Sequence, residues 1–270
     1  MKQLKSSSGD LRRLFERAIT IREIAEPVVS FDTDRNAEAI RGFMEARNFD
    51  VVGLREGGSV AGYVRCKDLK QGPVQDCFAR FREGEVLAES EPLSAGIQAL
   101  RDRNELFITV LSQVGGIVTK GDLQKAPVRL WLFGVISLIE MKLLRLIRER
   151  FPHGTCMSLL PPGRIDAARR IFAMRKQRNE EADVSDFSDC LQICDKATIL
   201  LNDSELKALA QSPTTAIDDD FFSRLQSLRD ALAHSNDIVA GRWPELVNLA
   251  KEAEGLLTRL ESASVATNTE

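Results

Sequence analysis

Histidine is scarce: only His153 and His234 occur in 270 residues. That removes His-rich metal sites and leaves two candidates for imidazole chemistry. The five cysteines (Cys66, Cys77, Cys156, Cys190, Cys194) are odd in number and form no CxxC pair. Such usage points to reduced thiols in a cytoplasmic setting. The longest uncharged apolar stretch, Leu130 to Ile139, is too short for a bilayer, and Glu140 and Lys142 follow it at once. The first ten residues are polar with no apolar core, which predicts no secretory signal. No Walker-type loop, nucleophile elbow or acidic-plus-histidine metal spacing is present, so no bound metal is expected.

What remains is an ordinary soluble composition, 43% hydrophobic and 29% charged, with length for one or two domains. The net charge of −3 is unevenly spread. Residues 1–125 balance 19 basic against 19 acidic side chains, residues 126–180 hold 11 against 4, and residues 181–270 hold 7 against 17. A basic block suits a phosphate backbone; the plainer expectation is that it pairs with the acidic block within one folded unit.

An internal repeat organises the first half. Residues 49–69 and 106–123 each read as an apolar strand, a tight turn, a second apolar strand and a helix start, both closing on Asp-Leu. Helical stripes precede both: Ala37, Ile40 and Met44 within 35–47, and Ile97 and Leu100 within 93–103. Two copies are too few for a solenoid and predict a duplicated α/β unit whose copies pack together.

The segment Gly116-Ile-Val-Thr-Lys-Gly-Asp-Leu123 resembles the signature of the second motif in a cystathionine-β-synthase (CBS) domain pair. The resemblance covers about residues 19–125. It implies a regulatory module that binds an adenine nucleotide (ATP, ADP or AMP), with Thr119 at phosphate and Asp122 at the ribose. A hydroxyl and free N–H groups at a helix start suit a phosphate, but Thr119 and Asp122 are equally the residues of a helix cap. In the first copy Asp68 keeps its place while Arg65 replaces the hydroxyl residue. Arg65 either holds a phosphate with its fork of donors or fills the pocket and closes it. One occupied site, in the second copy, is expected.

From Pro127 onward the pattern is helical, with no strand signals. Residues 128–150 are apolar nearly all round, which predicts burial on several sides and a subunit interface. Helices are expected at about 165–178, 186–200, 203–211, 218–233 and 244–260, an all-α bundle. Within it Arg229-Asp-Ala-Leu-Ala-His234 resembles the Arg-polar-x-x-x-His signature of HEPN domains, helical bundles that often dimerise. The resemblance spans about residues 128–260, though only the segment around Arg229 is specific. It implies a metal-independent endoribonuclease that leaves 2′,3′-cyclic phosphate ends without a cofactor. His234 would be the acid/base, Arg229 would hold the scissile phosphate, and Asp230 would orient the ring.

The spacing itself is common: Arg148 and His153 also satisfy it. Five helical residues turn through about 500°, leaving Arg229 and His234 roughly 140° apart. A nuclease therefore calls for a dimer with a composite cleft. Alternatively, Asp230 and His234 make an i,i+4 bond and Arg229 pairs with Glu140 or the acidic block. Cys190 and Cys194, one turn apart, read as buried thiols.

The whole is expected to be α+β, a tandem CBS pair followed by a HEPN-like bundle. The expected boundaries are a flexible segment 1–18, a nucleotide-sensing pair 19–125, a helical domain 126–260 and a disordered tail 261–270. Two functions follow: a prokaryotic cytoplasmic ribonuclease dimer gated by adenine nucleotide in stress or phage defence, or a non-catalytic nucleotide sensor whose bundle binds a protein or RNA.

Overall fold

The computed structural model describes residues 12, 13, 15, 17–178, 187–213, 216–234, 236–239 and 241–266. It divides into two units, one of Glu16–Val128 and one that joins Met1–Phe15 to Arg129–Glu270.

The first unit is mixed α/β. Its strands are β1 (Glu26–Pro27), β2 (Ser30–Asp32), β3 (Val51–Glu56), β4 (Ser59–Arg65), β5 (Ala79–Arg80), β6 (Val86–Ala88), β7 (Glu105–Val110) and β8 (Gln113–Thr119). Helix α1 (Ala37–Arg47) precedes the β3–β4 hairpin and α2 (Leu93–Ala99) precedes β7–β8. The hairpins begin at Val51 and Glu105 and end at Arg65 and Thr119, so equivalent residues lie 54 apart. Even the register irregularity recurs, between Leu54 and Arg55 and between Ile108 and Thr109.

Two four-stranded sheets result, ordered β2-β3-β4-β5 and β1-β8-β7-β6. The lead strand of each repeat is exchanged: β1 pairs with β8 of the second copy, and β5 pairs with β4 of the first. Gly62 permits the β4–β5 pairing, because a Cβ there would sit 2.2 Å from the Ala79 carbonyl oxygen. Alternating apolar residues fill each copy, as in the cluster of Ala37, Ile40, Met44, Val52, Leu54 and Val64. Tyr63 of the first copy stacks on Phe107 of the second with ring centroids 5.0 Å apart.

The second unit is helical. It contains α3 (Ala126–Arg150, entered from the first unit), α4 (Pro162–Arg178), α5 (Ile193–Asn202), α6 (Ser204–Ala210), α7 (Asp219–Ala233) and α8 (Trp243–Ala266). Caps set the starts: the Asp203 carboxylate accepts from the N–H groups of Glu205 and Leu206, and Asp218 accepts from Phe221. Basic and acidic blocks do pair inside this unit. Arg148 meets Asp189 at 2.6 Å, Arg150 meets Glu205 at 2.9 Å, and Arg164 meets Asp195 at 2.6 Å.

Three expectations need correction. The expected helix 186–200 is a 3-10 turn, Phe187–Cys190, followed by α5, because Gln192 and Asp195 build a capping box that starts a new helix; residue 186 lies outside the described residues. Of the expected disordered tail, residues 261–266 are helical, held where Arg12 donates to Glu261 at 2.7 Å and to Thr258 at 3.0 Å; residues 267–270 lie outside the described residues. Phe15 packs on Gly134, where a Cβ would come within 2.6 Å of its ring, so the described part of segment 1–18 is anchored. Helix α3 is buried on several sides, and Leu130, Phe133 and Met141 leave an exposed apolar stripe on it within the single chain. No helix among the described residues is long and apolar enough to cross a membrane.

Candidate functional site

Two clefts carry chemistry, one in each unit. In the first unit a cleft of about 410 Å³ is lined by Asp50, Val51, Arg65, Cys66, Lys67 and their repeat equivalents Asn104, Glu105, Thr119, Lys120 and Gly121. Both copies therefore contribute the same positions to one concave site. The chain reaches it at the ends of β4 and β8, where each strand gives way to a 3-10 turn.

Thr119 and Arg65, both expected here, are brought together in this cleft. Arg65 is already engaged. Its guanidinium donates from Nε and Nη2 to Glu105 Oε1 at 2.8 and 2.5 Å, and from Nη2 to the Tyr63 hydroxyl at 3.2 Å. Partial burial pulls its pKa down, but the bonds to Glu105 outweigh this and hold it above the ordinary arginine value. The Glu105 carboxylate is buried, so this pair links the two repeats through a partly desolvated contact.

Asp122 and Asp68 do not line the cleft. Asp122 is 7% exposed, and its Oδ2 accepts from the Thr119 N–H at 2.6 Å and the Thr119 hydroxyl at 3.0 Å. Its Oδ1 meets Lys125 Nζ at 2.7 Å. Of the two readings open at this aspartate, the cap is the one formed. Partial burial lowers the Lys125 pKa, yet bonds to Asp122 and Glu26 carry it above the ordinary lysine value. Asp68 is exposed on the first copy's turn. The turn after Thr119 is a five-residue 3-10 helix, not the α-helix start that the sequence suggested.

Sequence reasoning missed Glu105, Lys67 and Lys120. The signal for Glu105 was an acid opening an otherwise apolar strand. At the 54-residue spacing Lys67 falls on Gly121 and Lys120 on Cys66, so the repeat did not point to either lysine. Lys120 Nζ donates to Asn104 Oδ1 at 2.5 Å, which holds its charge at the rim.

In the helical unit, Arg229 and Asp230 lie near the end of α7, and His234 is its C-cap. His234 is exposed, its backbone N–H donates to the Asp230 carbonyl at 3.1 Å, and its imidazole has no partner among the described residues. The Asp230 carboxylate accepts from Arg229 at 3.3 Å, leaving the ring unoriented by it. Arg229 also approaches Glu140 at 3.9 Å, the pairing considered above. A small cleft of about 230 Å³ is lined by Arg229 with Phe133, Ser137, Glu140, Met141, Leu144 and Lys196; neither His234 nor Asp230 lines it. One chain thus keeps the arginine cleft and the histidine apart, as the helical angle requires.

The loop that follows is tied down by Arg129. Its guanidinium donates to the carbonyls of Ala231 at 3.1 Å and Leu232 at 3.2 Å in the last turn of α7 and to that of Asn236 at 2.8 Å beyond it. Arg148, the other match to the spacing, is spent on Ser188 and Asp189. Burial raises the pKa of both Cys190 and Cys194, so these thiols stay protonated and unreactive at neutral pH.

No protein-family model matches the chain, and no curated protein matches it. Among solved structures it is similar to the CBS domain of a bacterial CNNM/CorC family Mg2+ transporter in complex with ATP, at 16% identity and TM-score 0.35, over 43% of this chain and 91% of that one. An acetoin utilization protein from Vibrio cholerae is similar at 14% identity and TM-score 0.37, over 42% of this chain and 92% of that one. A conserved protein from Pyrococcus horikoshii is similar at 15% identity and TM-score 0.36, over 40% and 90%. Global likeness at this level says nothing of function, which has to be argued from the clefts.

Proposed function

We propose that the α/β unit is a nucleotide sensor whose ligand, an adenine nucleotide, sits in the cleft shared by the two repeats and regulates the helical unit. The observation that carries this is the convergence of equivalent residues on one site: Arg65, Cys66 and Lys67 with Thr119, Lys120 and Gly121. Lys67 and Lys120 supply positive charge for a phosphate chain. A phosphate beside Thr119 takes the hydroxyl hydrogen now given to Asp122, which still keeps the Thr119 N–H and Lys125. Asp122 thereby positions the phosphate contact, and a ribose role would need it to leave that cap. Arg65, held by Glu105, closes the first copy's half, so one nucleotide binds per chain. Two rim lysines favour the triphosphate over the monophosphate. Thermal denaturation with ATP, ADP or AMP tests this: stabilisation should follow the number of phosphates, through mass action on the folded state. Equal or absent stabilisation by all three contradicts it.

A second reading is favoured by the exposed, unpartnered imidazole of His234 beside an exposed Arg229. In it the helical unit cuts RNA without metal as a homodimer. In that dimer the partner copy's histidine completes the arginine cleft. His234 would take the 2′-hydroxyl proton and Arg229 would neutralise charge on phosphorus, closing a 2′,3′-cyclic phosphate as the 5′-oxygen leaves with a proton. Cleavage of end-labelled RNA in EDTA by wild type and His234→Ala tests it. Cyclic-phosphate ends lost in the variant support it; intact RNA with a folded dimer leaves the bundle as a binding module.

A further inference from the structure

The small cleft on the helical unit holds a residue that neither reading has used. Lys196, on α5, interrupts the apolar run Ile193, Ala197, Ile199 and Leu200, and its side chain is only 8% exposed. Its Nζ faces Glu140 Oε2 at 3.5 Å, while Arg229 Nε faces the other oxygen, Oε1, at 3.9 Å. One carboxylate is thus shared by two cations at distances longer than a good charge-assisted hydrogen bond. Arg229 has Asp230 as a second anion at 3.3 Å, whereas Lys196 meets only Glu140 among the described residues, and a lysine so deeply buried is costly unless it is given a close anion. Beside these groups lie the exposed Phe133 ring and Met141. Two cations next to an open aromatic face match a phosphodiester with its neighbouring unstacked base, which is the chemistry of single-stranded nucleic acid. An acidic peptide would engage the cations but leave the ring unused.

We infer that Lys196 and Arg229 together seat a backbone phosphate of single-stranded RNA, that Glu140 competes for both cations when the seat is empty, and that Phe133 stacks the adjoining base. This rests on the RNA reading of the helical unit. The bound phosphate displaces Glu140 from the cations, so removing that carboxylate's charge strengthens binding.

Fluorescence anisotropy of a labelled mixed-sequence single-stranded RNA tests the assignment, in a His234→Ala background that prevents cutting. Lys196→Met should weaken binding about tenfold and shallow the salt dependence by about 0.7, the share of one single-strand phosphate. Phe133→Ala should weaken it by about tenfold with the salt slope unchanged. Glu140→Gln should tighten binding, a gain that a misfolded protein cannot give. RNA that binds equally well to all variants overturns the seat while leaving RNA recognition standing. RNA that binds none of the proteins, the His234→Ala parent included, overturns both.

Discussion

Leu111 is an exposed leucine in a conformation that leucine avoids. The first hairpin turns through Gly57 and Gly58, both at positive φ, whereas the second turns through Leu111 (φ 51°) and Ser112 (φ 65°). Leu111 is 89% exposed, so no packing offsets the strain. Leu111→Asn should therefore stabilise the protein by about 1 kcal/mol, read as a higher urea midpoint at unchanged slope. Lys142 gives a pH-dependent counterpart. Burial holds its pKa below the ordinary lysine value, with Glu261 pulling the other way. Between the folded and unfolded pKa values the unfolded chain binds more protons, so stability rises with pH there, and below that window the penalty is complete. Lys142→Met should raise the unfolding midpoint at pH 7, and the gain should shrink as pH rises through the lowered value and vanish above the ordinary lysine pKa. At this scale the sequence was legible where one residue type has one use, as with the caps at Asp203 and Asp218. It was silent about partners: nothing local tells that Arg65 meets Glu105, 40 residues on, or that Lys196 turns inward.

The hairpins were readable as elements because each is an apolar strand pair around a two-residue turn, and the repeat confirmed one with the other. The exchange of β1 and β5 was not, since two-residue strands such as Glu26–Pro27 carry no periodicity and exist only through their pairing. Helix α3 was correctly expected to be long, but its composition could not say which face would stay open. That depends on where α7 and α8 pack. Arg129 tests the α3–α7 relation directly, because it donates to two carbonyls in the last turn of α7 and to that of Asn236 beyond it. Arg129→Met leaves these acceptors without their charged donor and should cost about 1–3 kcal/mol. Hydrogen exchange would show faster opening confined to the end of α7 and the residues after it, while α5 and α6 keep their protection.

The molecule as a whole combines two units whose contents differ in kind, a boundary visible in the sequence where strand patterns stop. The sequence also pointed to Thr119 and Arg65, which do share a cleft. At Asp122 it left a ligand and a cap open, since residue type alone allows both; the bonds to Thr119 and Lys125 are those of the cap. Arg229 and His234 were expected to need two chains, and the single chain keeps His234 out of the Arg229 cleft. The account stands or falls on the shared cleft of the repeats. Its most direct test is calorimetric titration of ATP into the wild-type protein and into the Lys67→Met/Lys120→Met double variant. The account predicts one saturable site per chain in the wild type, weakened at least tenfold in the double variant with both proteins folded. Binding that survives the double substitution unchanged, or no binding by the wild type, would contradict it.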